Sequence, residues 1–255
     1  MLAEAQRERI QVVLVSPRNP LNIGAVARAM ANFGFAHLAV VSPYEPHWRE
    51  ARSAVGAPEL LRNAAETKSL ADAIRDSTLV LGTGTVTYRK PEQPVIRLDE
   101  AGPLVTRELE RGGRISLVFG PEKHGLTRED LSYCQMLIEI PTDPRQPSMN
   151  LGQAAAVCLY ELASQGNTAA SRPPVAAPDQ QAPDASSTTS GNLGILADLI
   201  EEVMTTASYS PEAMQAANRH DLRLTLRRLH FTAADTRRAL GLFRRILWRI
   251  KRFRA

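Results

Sequence analysis

Arg28 is the residue of this chain whose surroundings most suggest anion chemistry. It lies among small and apolar residues from Ala25 to Ala31. An arginine in such a helix must leave the apolar face toward a polar group, and a guanidinium binds phosphate or carboxylate through two hydrogen bonds. Asn19 and Asn22, just upstream, can cap the free N–H groups of the helix start. The pattern therefore favours either an anion-binding arginine or a solvated one beside capping asparagines.

Two segments, Val118–Gly125 and Ile140–Asn150, each run from the end of an apolar strand into a tight polar loop and then toward a helix. In the first loop, Gly120 allows a backbone to approach a ligand closely, and Glu122 is the only acid. The second loop is rich in proline and ends in polar residues that can be helix caps or site groups, namely Ser148 and Asn150. These alternatives stay open from the residues alone.

Strands and helices alternate along the first two thirds of the chain and must position these loops. The apolar runs predicted as strands are Ile10–Val15, His37–Val41, Leu79–Leu81, Ile115–Phe119 and Gln135–Ile140. The periodic segments predicted as helices are Ile23–Phe33, Ser69–Asp76, Asp99–Arg111 and Leu151–Ala163. This alternation predicts an α/β fold with a mostly parallel sheet and helices on both faces. Ligands of such sheets bind at the carboxyl ends of the strands, where the polar loops lie.

The composition changes after the last of these helices. Residues 1–165 form the predicted α/β domain, and the stretch 166–191, rich in Pro, Ala, Ser and Thr, is predicted to be a flexible linker. Helical periodicity returns in Leu193–Thr205 and Pro211–Lys251, which predicts a small all-α domain over 192–255. Within the second stretch, Thr232 is a candidate N-cap that pairs with Asp235. From Arg219 onward twelve Lys and Arg face two acids. This asymmetry indicates a polyanionic partner.

Composition also excludes several classes of protein. The two cysteines, Cys134 and Cys158, form no CxxC pair, which disfavours a zinc site and a disulfide framework. We therefore expect two buried thiols in a reducing cytosol and no metal. The chain shows no apolar run long enough to cross a membrane and no signal-peptide core, so a cytoplasmic protein is expected. Aromatic residues make up only 5% of the chain, which disfavours a base-stacking platform.

Three segments, in this order and spacing, carry a family resemblance. NPLNIGAVARAM, LVFGPEKHGLT and IPTDPRQPSMNLGQAAAV resemble the motifs of the SPOUT-class, TrmH-like RNA 2′-O-ribose methyltransferases. The resemblance covers about residues 10–163. It implies a C-terminal trefoil knot, an exception to the rule against knotted chains. It also implies a homodimer in which the last helix of the domain packs across the interface.

The resemblance further implies a cofactor and roles for individual residues. S-adenosylmethionine would be bound by Thr83, Gly84, Thr85, Gly120, Ile140, Pro147, Ser148 and Met149. The catalytic set would be Arg28, Asn22, Glu122, Ser148 and Asn150, with Arg28 supplied by the other subunit as a clamp for phosphate and developing alkoxide. The RNA-binding set would be Arg28 together with five arginines of the basic tail: Arg223, Arg227, Arg228, Arg244 and Arg245.

The basic tail after a linker is similar to that of tRNA-modifying members of the class. The expected reaction is 2′-O-methylation of a pyrimidine, cytidine or uridine 32, in the tRNA anticodon loop. Two other functions stay open at this point: a ribosomal-RNA 2′-O-methyltransferase of the same class, and a non-catalytic RNA-binding module that keeps the fold.

Overall fold

The computed structural model describes residues 2–85, 91–164, 186–209 and 211–254. Its centre is one seven-stranded sheet in which every pairing is parallel and the order is β3-β2-β1-β6-β4-β7-β5. The strands are β1 (Ile10–Val15), β2 (His37–Val41), β3 (Ala65–Thr67), β4 (Leu79–Thr83), β5 (Val95–Arg97), β6 (Ile115–Phe119) and β7 (Met136–Glu139). The predicted parallel α/β sheet is thus confirmed.

Ten α-helices accompany the sheet in the described part of the chain. They are α1 (Glu4–Arg7), α2 (Pro20–Phe33), α3 (Pro58–Asn63), α4 (Leu70–Ala73), α5 (Ala101–Glu110), α6 (Arg128–Leu131), α7 (Leu151–Ser164), α8 (Ser190–Thr206), α9 (Gln215–Arg228) and α10 (Ala233–Arg254). Short 3-10 turns occur at Trp48–Glu50, Leu98–Glu100 and Glu212–Met214. None of these described helices is both long and apolar enough to span a bilayer.

Alternate residues of β1 belong to two different apolar clusters, one on each face of the sheet. Ile10, Val12 and Leu14 join the cluster that contains α2, α5 and α7, whereas Val13 and Val15 join the cluster beneath α4 and α6. Side chains alternate between the faces of a strand, so a strand buried on both faces needs a continuous apolar run. The helices therefore cover both faces, as predicted.

Several boundaries differ from the sequence prediction for local reasons. Helix α2 begins three residues early, at Pro20, because the Asn19 side chain accepts from the backbone N–H of Leu21 and caps the helix. Two strands were not predicted, β3 and β5, because each has only three residues and lacks an apolar run. The segment 86–90, which follows Thr85 after β4, lies outside the described residues, and the knot stays a prediction.

The helical C-terminal region forms a third apolar cluster, with Leu193, Leu196 and Leu226 at its centre. The predicted helical stretch Pro211–Lys251 is divided: α9 ends at Arg228, and His230 has a positive φ of 46°. Thr232 then starts α10 and exchanges hydrogen bonds with Asp235, as the sequence predicted.

Most of the predicted linker, residues 166–185, lies outside the described residues. Its last part is folded: Ser187 forms a bridge with Thr232, and the Ser190 N–H donates to the carbonyl of Ser77 at 2.7 Å. Helix α8 therefore begins at Ser190, two residues before the predicted domain boundary.

The C-terminal region rests on the sheet domain along one contact, which we call the domain seam. Its members from the C-terminal region are Ser187, Thr188, Ser190, His220, Arg223 and Arg227, and they face Ser77, Thr78, Glu92, Glu108, Glu129 and Tyr133. Polar contacts dominate it. Arg223 pairs with Glu129 and stacks over the Tyr133 ring at 4.6 Å, and Ser187 donates to Glu108.

Candidate active site

A cavity of about 340 Å³ lies at the carboxyl ends of β4, β6 and β7 and reaches the start of α7. Because β4 is paired with both β6 and β7, the loops that leave these strands meet at one edge of the sheet. All eight residues of the predicted cofactor set line this cavity: Thr83, Gly84, Thr85, Gly120, Ile140, Pro147, Ser148 and Met149. We call it the motif cavity.

The loop after β6 has room only for glycine at position 120. A Cβ on Gly120 would lie 2.2 Å from both the carbonyl carbon of Gly125 and the nitrogen of Leu126, which are backbone atoms. Gly125 itself has a φ of 63° and closes the turn. The neighbouring wall is fixed by Thr83, whose hydroxyl donates to the carbonyl of Val118 at 3.0 Å. The cavity therefore has a backbone-rich lining whose shape is set by tight packing.

Three residues from three distant segments form one chain of hydrogen bonds beside the motif cavity. Asn22 donates from Nδ2 to Oε1 of Glu122 at 2.9 Å, and its Oδ1 accepts from Nδ2 of Asn150 at 3.0 Å. Glu122 also accepts from the backbone N–H groups of Arg18 and Asn19, both at 3.1 Å. The structure thus brings together three of the five predicted catalytic residues.

Glu122 occupies the N-terminal end of α2 as a charged cap. Desolvation works against its ionised form, but hydrogen bonds from Asn22 and from backbone N–H groups, including those of Arg18 and Asn19, outweigh it and lower the pKa of the carboxyl. A carboxylate at a helix start also interacts favourably with the helix dipole. Glu122 is therefore a fixed negative charge that holds the start of α2 against the loop after β6.

Asn150 has a second role as a cap of α7, since its Oδ1 accepts from the N–H of Gly152 at 2.9 Å. Gly152 lets α7 approach α2 closely: a Cβ there would lie 2.7 Å from the Cβ of Ala25. The side chain of Asn150 thus does both things that the sequence left open: it caps α7 and it bonds to Asn22 beside the cavity.

Arg28 stands apart from this arrangement. It is exposed on α2, does not line the motif cavity, and makes no hydrogen bond or ion pair with the residues that the structure describes. Ser148 is exposed and lines the cavity without joining the Asn22–Glu122–Asn150 chain. Within one chain, therefore, the cavity and the candidate arginine are separate.

The predicted RNA-binding arginines of the C-terminal region fall into two groups. Arg228, Arg244 and Arg245 are exposed. Arg223 and Arg227 lie in the domain seam instead, where Arg223 pairs with Glu129 and Arg227 is only 4% exposed. Arg223 is thus paired and Arg227 is buried, and a role of either in RNA binding stays a prediction.

Other residues of the motif cavity were not singled out from the sequence, including Phe119, Lys123, Thr142 and Ala154. Each of these residues lies within or beside a predicted loop, and this position in the sequence could have identified it as a residue of the cavity.

The sequence also predicts no cluster of metal-ligating residues, yet Glu92, His220 and Asp221 place their ligand atoms within 4.8 Å of one another. The prediction missed this proximity because Glu92 and His220 are 128 positions apart. Glu92 already accepts from Arg128 at 2.7 Å and lies 3.3 Å from His220, so a guanidinium stands beside the carboxylate. The group is explained as an ionic contact of the domain seam.

The sheet and its loop-lined cavity define an α/β protein with a ligand-sized cleft at the carboxyl edge of parallel strands. The model of the SpoU rRNA methylase family matches residues 9–160, and the chain belongs to that family.

Relatives with assigned activities are similar over the same region. The tRNA (cytidine/uridine/adenosine-2′-O-)-methyltransferase TrmJ of Pseudomonas aeruginosa is 40% identical over 165 residues, covering 62% of this chain and 64% of the relative. The tRNA (cytidine-2′-O-)-methyltransferase TrmJ of Methanocaldococcus jannaschii is 38% identical over 159 residues, covering 60% and 66%. The match thus spans slightly less than two thirds of each relative.

Among solved structures, TrmJ from Z. mobilis superposes with a TM-score of 0.78 at 24% identity, covering 92% of this chain and 98% of that one. A probable methyltransferase from Bordetella pertussis gives a TM-score of 0.59 at 29% identity, covering 64% and 99%. The first likeness extends the shared fold through the C-terminal helical region.

Proposed function

We propose that this protein is an S-adenosylmethionine-dependent tRNA 2′-O-ribose methyltransferase that modifies a pyrimidine, cytidine or uridine 32, in the anticodon loop. The observation that carries the proposal is the meeting of all eight predicted cofactor residues in the motif cavity. The names of the relatives support the substrate class, since both are tRNA 2′-O-methyltransferases that act on cytidine.

The motif cavity fits this cofactor in size and in chemistry. Its volume of about 340 Å³ lies within the range of small-molecule pockets, about 300–1,000 Å³. The backbone around Gly120 and Gly84 offers N–H and C=O groups that can read an adenine edge, and small residues leave them accessible. When bound, S-adenosylmethionine supplies an electrophilic methyl group on its sulfonium.

The protein then has two tasks, to align a ribose 2′-hydroxyl with that methyl group and to stabilise the charge that develops on the oxygen. Arginine side chains stay protonated in proteins, so Arg28 serves as a clamp rather than as a base. It would hold the adjacent phosphate and the developing alkoxide, while a phosphate oxygen or water takes the proton. Glu122, Asn22 and Asn150 hold the start of α2, and with it Arg28, at a fixed position.

The separation of Arg28 from the cavity of its own chain supports a homodimer in which each site takes its arginine from the partner. The outer face of α2 and α7 carries exposed apolar side chains, Leu21 at 55%, Val157 at 37% and Tyr160 at 57%. Apolar residues on adjoining helices beside an exposed arginine are what a shared site at a subunit interface requires.

Helix α10 supplies the tRNA-binding surface in this proposal. Arg244, Arg245, Arg249 and Arg252 are exposed along it. Arg245 and Arg252 flank the Trp248 ring at 4.6 and 5.4 Å. Such a surface favours phosphate contacts.

A ribosomal-RNA substrate is the second candidate, favoured by the description of the matching family as rRNA methylases. A non-catalytic RNA-binding module is disfavoured, because the cavity and the Asn22–Glu122–Asn150 hydrogen bonds are intact.

The deciding experiment is methyl transfer from labelled S-adenosylmethionine to tRNA and to ribosomal RNA, followed by nucleoside mapping. Label in a 2′-O-methylated pyrimidine of the anticodon loop is the expected result. Label confined to ribosomal RNA would overturn the substrate, and cofactor binding with no transfer to either RNA would overturn the activity.

A further inference from the structure

Three buried side-chain polar atoms in the described part of the chain have no hydrogen-bond partner: Thr188 Oγ1, Ser190 Oγ and Arg227 Nε. All three belong to the domain seam, and all three can donate. Buried polar atoms are nearly always satisfied, so a cluster of unsatisfied donors asks for an explanation. Thr188 and Arg227 line one common cavity, whereas Ser190 lines a different one, so a ligand that offers acceptor atoms would complement the first two.

Arg227 is the centre of this cluster. It is 4% exposed, and burial lowers the pKa of its guanidinium to about 10. Its neighbours are the Tyr133 ring at 5.3 Å and a second cation, Arg223, whose carbonyl accepts from Nη1 at 3.5 Å. No described acid pairs with it. A buried charge without a counterion is costly, so an anion is the group that this position lacks.

Arg227 and Thr188 both line a cavity of about 120 Å³ in the domain seam. The cavity adjoins Thr78, Leu79 and Met136, at the amino ends of β4 and β7, so it lies at the edge of the sheet opposite the motif cavity. We call it the seam cavity.

The charges around the seam cavity favour an anion. Arg107 and Arg111 line it with Arg227, and neither makes an ion pair with a described residue. Glu108 is the acid of this lining, and its carboxylate already accepts from the hydroxyls of Thr78 and Ser187. Three arginines and one hydrogen-bonded glutamate therefore line the cavity.

We propose that the seam cavity binds a tetrahedral oxyanion of the phosphate type, held by Arg227 and Thr188, and that this anion fastens the C-terminal helical region to the sheet domain. The volume suits a small ion with a few waters and is well below the roughly 300 Å³ of typical small-molecule pockets. Water alone would satisfy the hydroxyls but would leave the buried charge of Arg227 without a counterion. The site is independent of the proposed methyl transfer.

The test is calorimetric titration of the full chain with sodium phosphate, in chloride buffer at constant ionic strength. We expect saturable binding near one ion per chain and a Tm that rises with phosphate concentration. Arg227→Gln should weaken the Kd at least tenfold, whereas Arg237→Gln, at an exposed position of α10 outside the predicted RNA-binding set, should leave it unchanged.

A second variant guards against misfolding, since Thr188→Val removes one donor and keeps the shape of the side chain. It should weaken binding while circular dichroism stays unchanged. A titration with adenosine monophosphate in place of phosphate distinguishes the source of the anion. If the chain does not bind adenosine monophosphate, the ligand is a free ion. If it binds adenosine monophosphate and Arg227→Gln abolishes this binding, the ligand is the phosphate group of a larger molecule. No saturable binding, or equal binding by the Arg227 and Arg237 variants, would overturn the proposal. Either result is expected if a carboxylate of the chain itself fills the cavity.

Discussion

The Nδ2 of Asn22 donates to the Oε1 of Glu122 at 2.9 Å, although 100 positions separate the two residues in the chain. This bond joins the start of α2 to the loop after β6, and Asn150 extends it to the start of α7. Residues from all three sequence motifs are thereby held at one point beside the motif cavity. Changes at this point should affect both stability and function.

Replacing Glu122 by Gln should destabilise the protein, because an amide nitrogen cannot accept from the N–H groups that now donate to the carboxylate. Groups left without a partner cost about 1–3 kcal/mol, and the exposure of Glu122 puts the expected loss near 1 kcal/mol. Urea unfolding at neutral pH measures it. Glu45→Gln, an exposed carboxylate on a surface loop, is the matched control, and equal losses in both variants would contradict the capping role.

Comparison of the wild type with Glu122→Gln should also show a pH dependence. Desolvation opposes ionisation of Glu122, but hydrogen bonds from Asn22 and backbone N–H groups outweigh it and lower the pKa in the folded state. The stabilising contribution is therefore complete above the unfolded value, about 4.3, and is lost as the pH falls through the lower folded value. The stability difference between the two proteins should shrink below about pH 4. A difference that widens on acidification would reverse the sign.

Gly120→Ala should abolish cofactor binding and lower stability, because the added Cβ would meet two backbone atoms at 2.2 Å. Gly194→Ala is the control, since a Cβ there meets nothing within 4 Å and the residue lies within α8. Alanine in a helix is favoured over glycine by up to about 1 kcal/mol, so this variant should be neutral or more stable. Thermal unfolding and S-adenosylmethionine titration measure both effects, and normal cofactor binding by the Gly120→Ala variant would show that the loop is not fixed.

Arg28→Ala should reduce methyl transfer about 100-fold or more while cofactor affinity changes little, because the role proposed for the arginine is to stabilise the transition state. Arg52→Ala, another exposed arginine without a described partner, should be close to wild type. Steady-state transfer kinetics and S-adenosylmethionine titration separate the two effects, and an Arg28→Ala chain with normal turnover would remove the arginine from the site.

The shared site can be tested by complementation between two inactive chains. Gly84→Trp should block the motif cavity, since a Cβ at this position has space and the side chain must fill the cavity. Co-expression of the Arg28→Ala and Gly84→Trp chains should restore part of the activity, because mixed dimers hold one intact cavity opposite one intact arginine. A mixture as inactive as its components would show that each chain uses its own Arg28.

The double change Arg244→Ala and Arg245→Ala should weaken tRNA binding and make it less dependent on salt. Each lost phosphate contact lowers the slope of log K against log salt by about 0.7–0.9, so a decrease of about 1.5 is expected. Arg62→Ala, an exposed arginine that pairs with Glu59 on α3, is the control. An unchanged slope would remove α10 from the RNA surface.

The two cysteines should be unreactive in the folded protein. Cys134 and Cys158 are buried, and burial raises the pKa of each thiol to about 12. Because the thiolate is the reactive form, we expect no reaction with Ellman's reagent at pH 8 until denaturant is added, when two thiols react. An added exposed thiol, Ala207→Cys, serves as the positive control. Rapid labelling of the native wild type would contradict the burial.

The sequence predicted best what depends on short segments. The apolar runs located the five central strands, and the loops that follow three of them contained the residues of the motif cavity. The sequence did not predict the partners of Arg223, because Glu129 lies 94 positions away and basic helices look alike whether they face RNA or a protein carboxylate. The capping pair Thr232 and Asp235 located the start of α10, but the sequence did not predict the positive φ of His230 just before it, a conformation that glycine usually supplies.

The motif cavity is lined by the segments that follow β4, β6 and β7, and the ribosome synthesises these segments one after another. A nascent chain that ends just after β6 already contains Thr83 and Gly120. It lacks the loop from Ile140 to Met149, and it lacks Asn150, which joins the start of α7 to α2. Domains fold as units during synthesis, and here the last portion of the domain supplies the third wall. The third wall of the cavity therefore forms only when this domain is complete, so we expect a chain that ends after β6 to bind no ligand there.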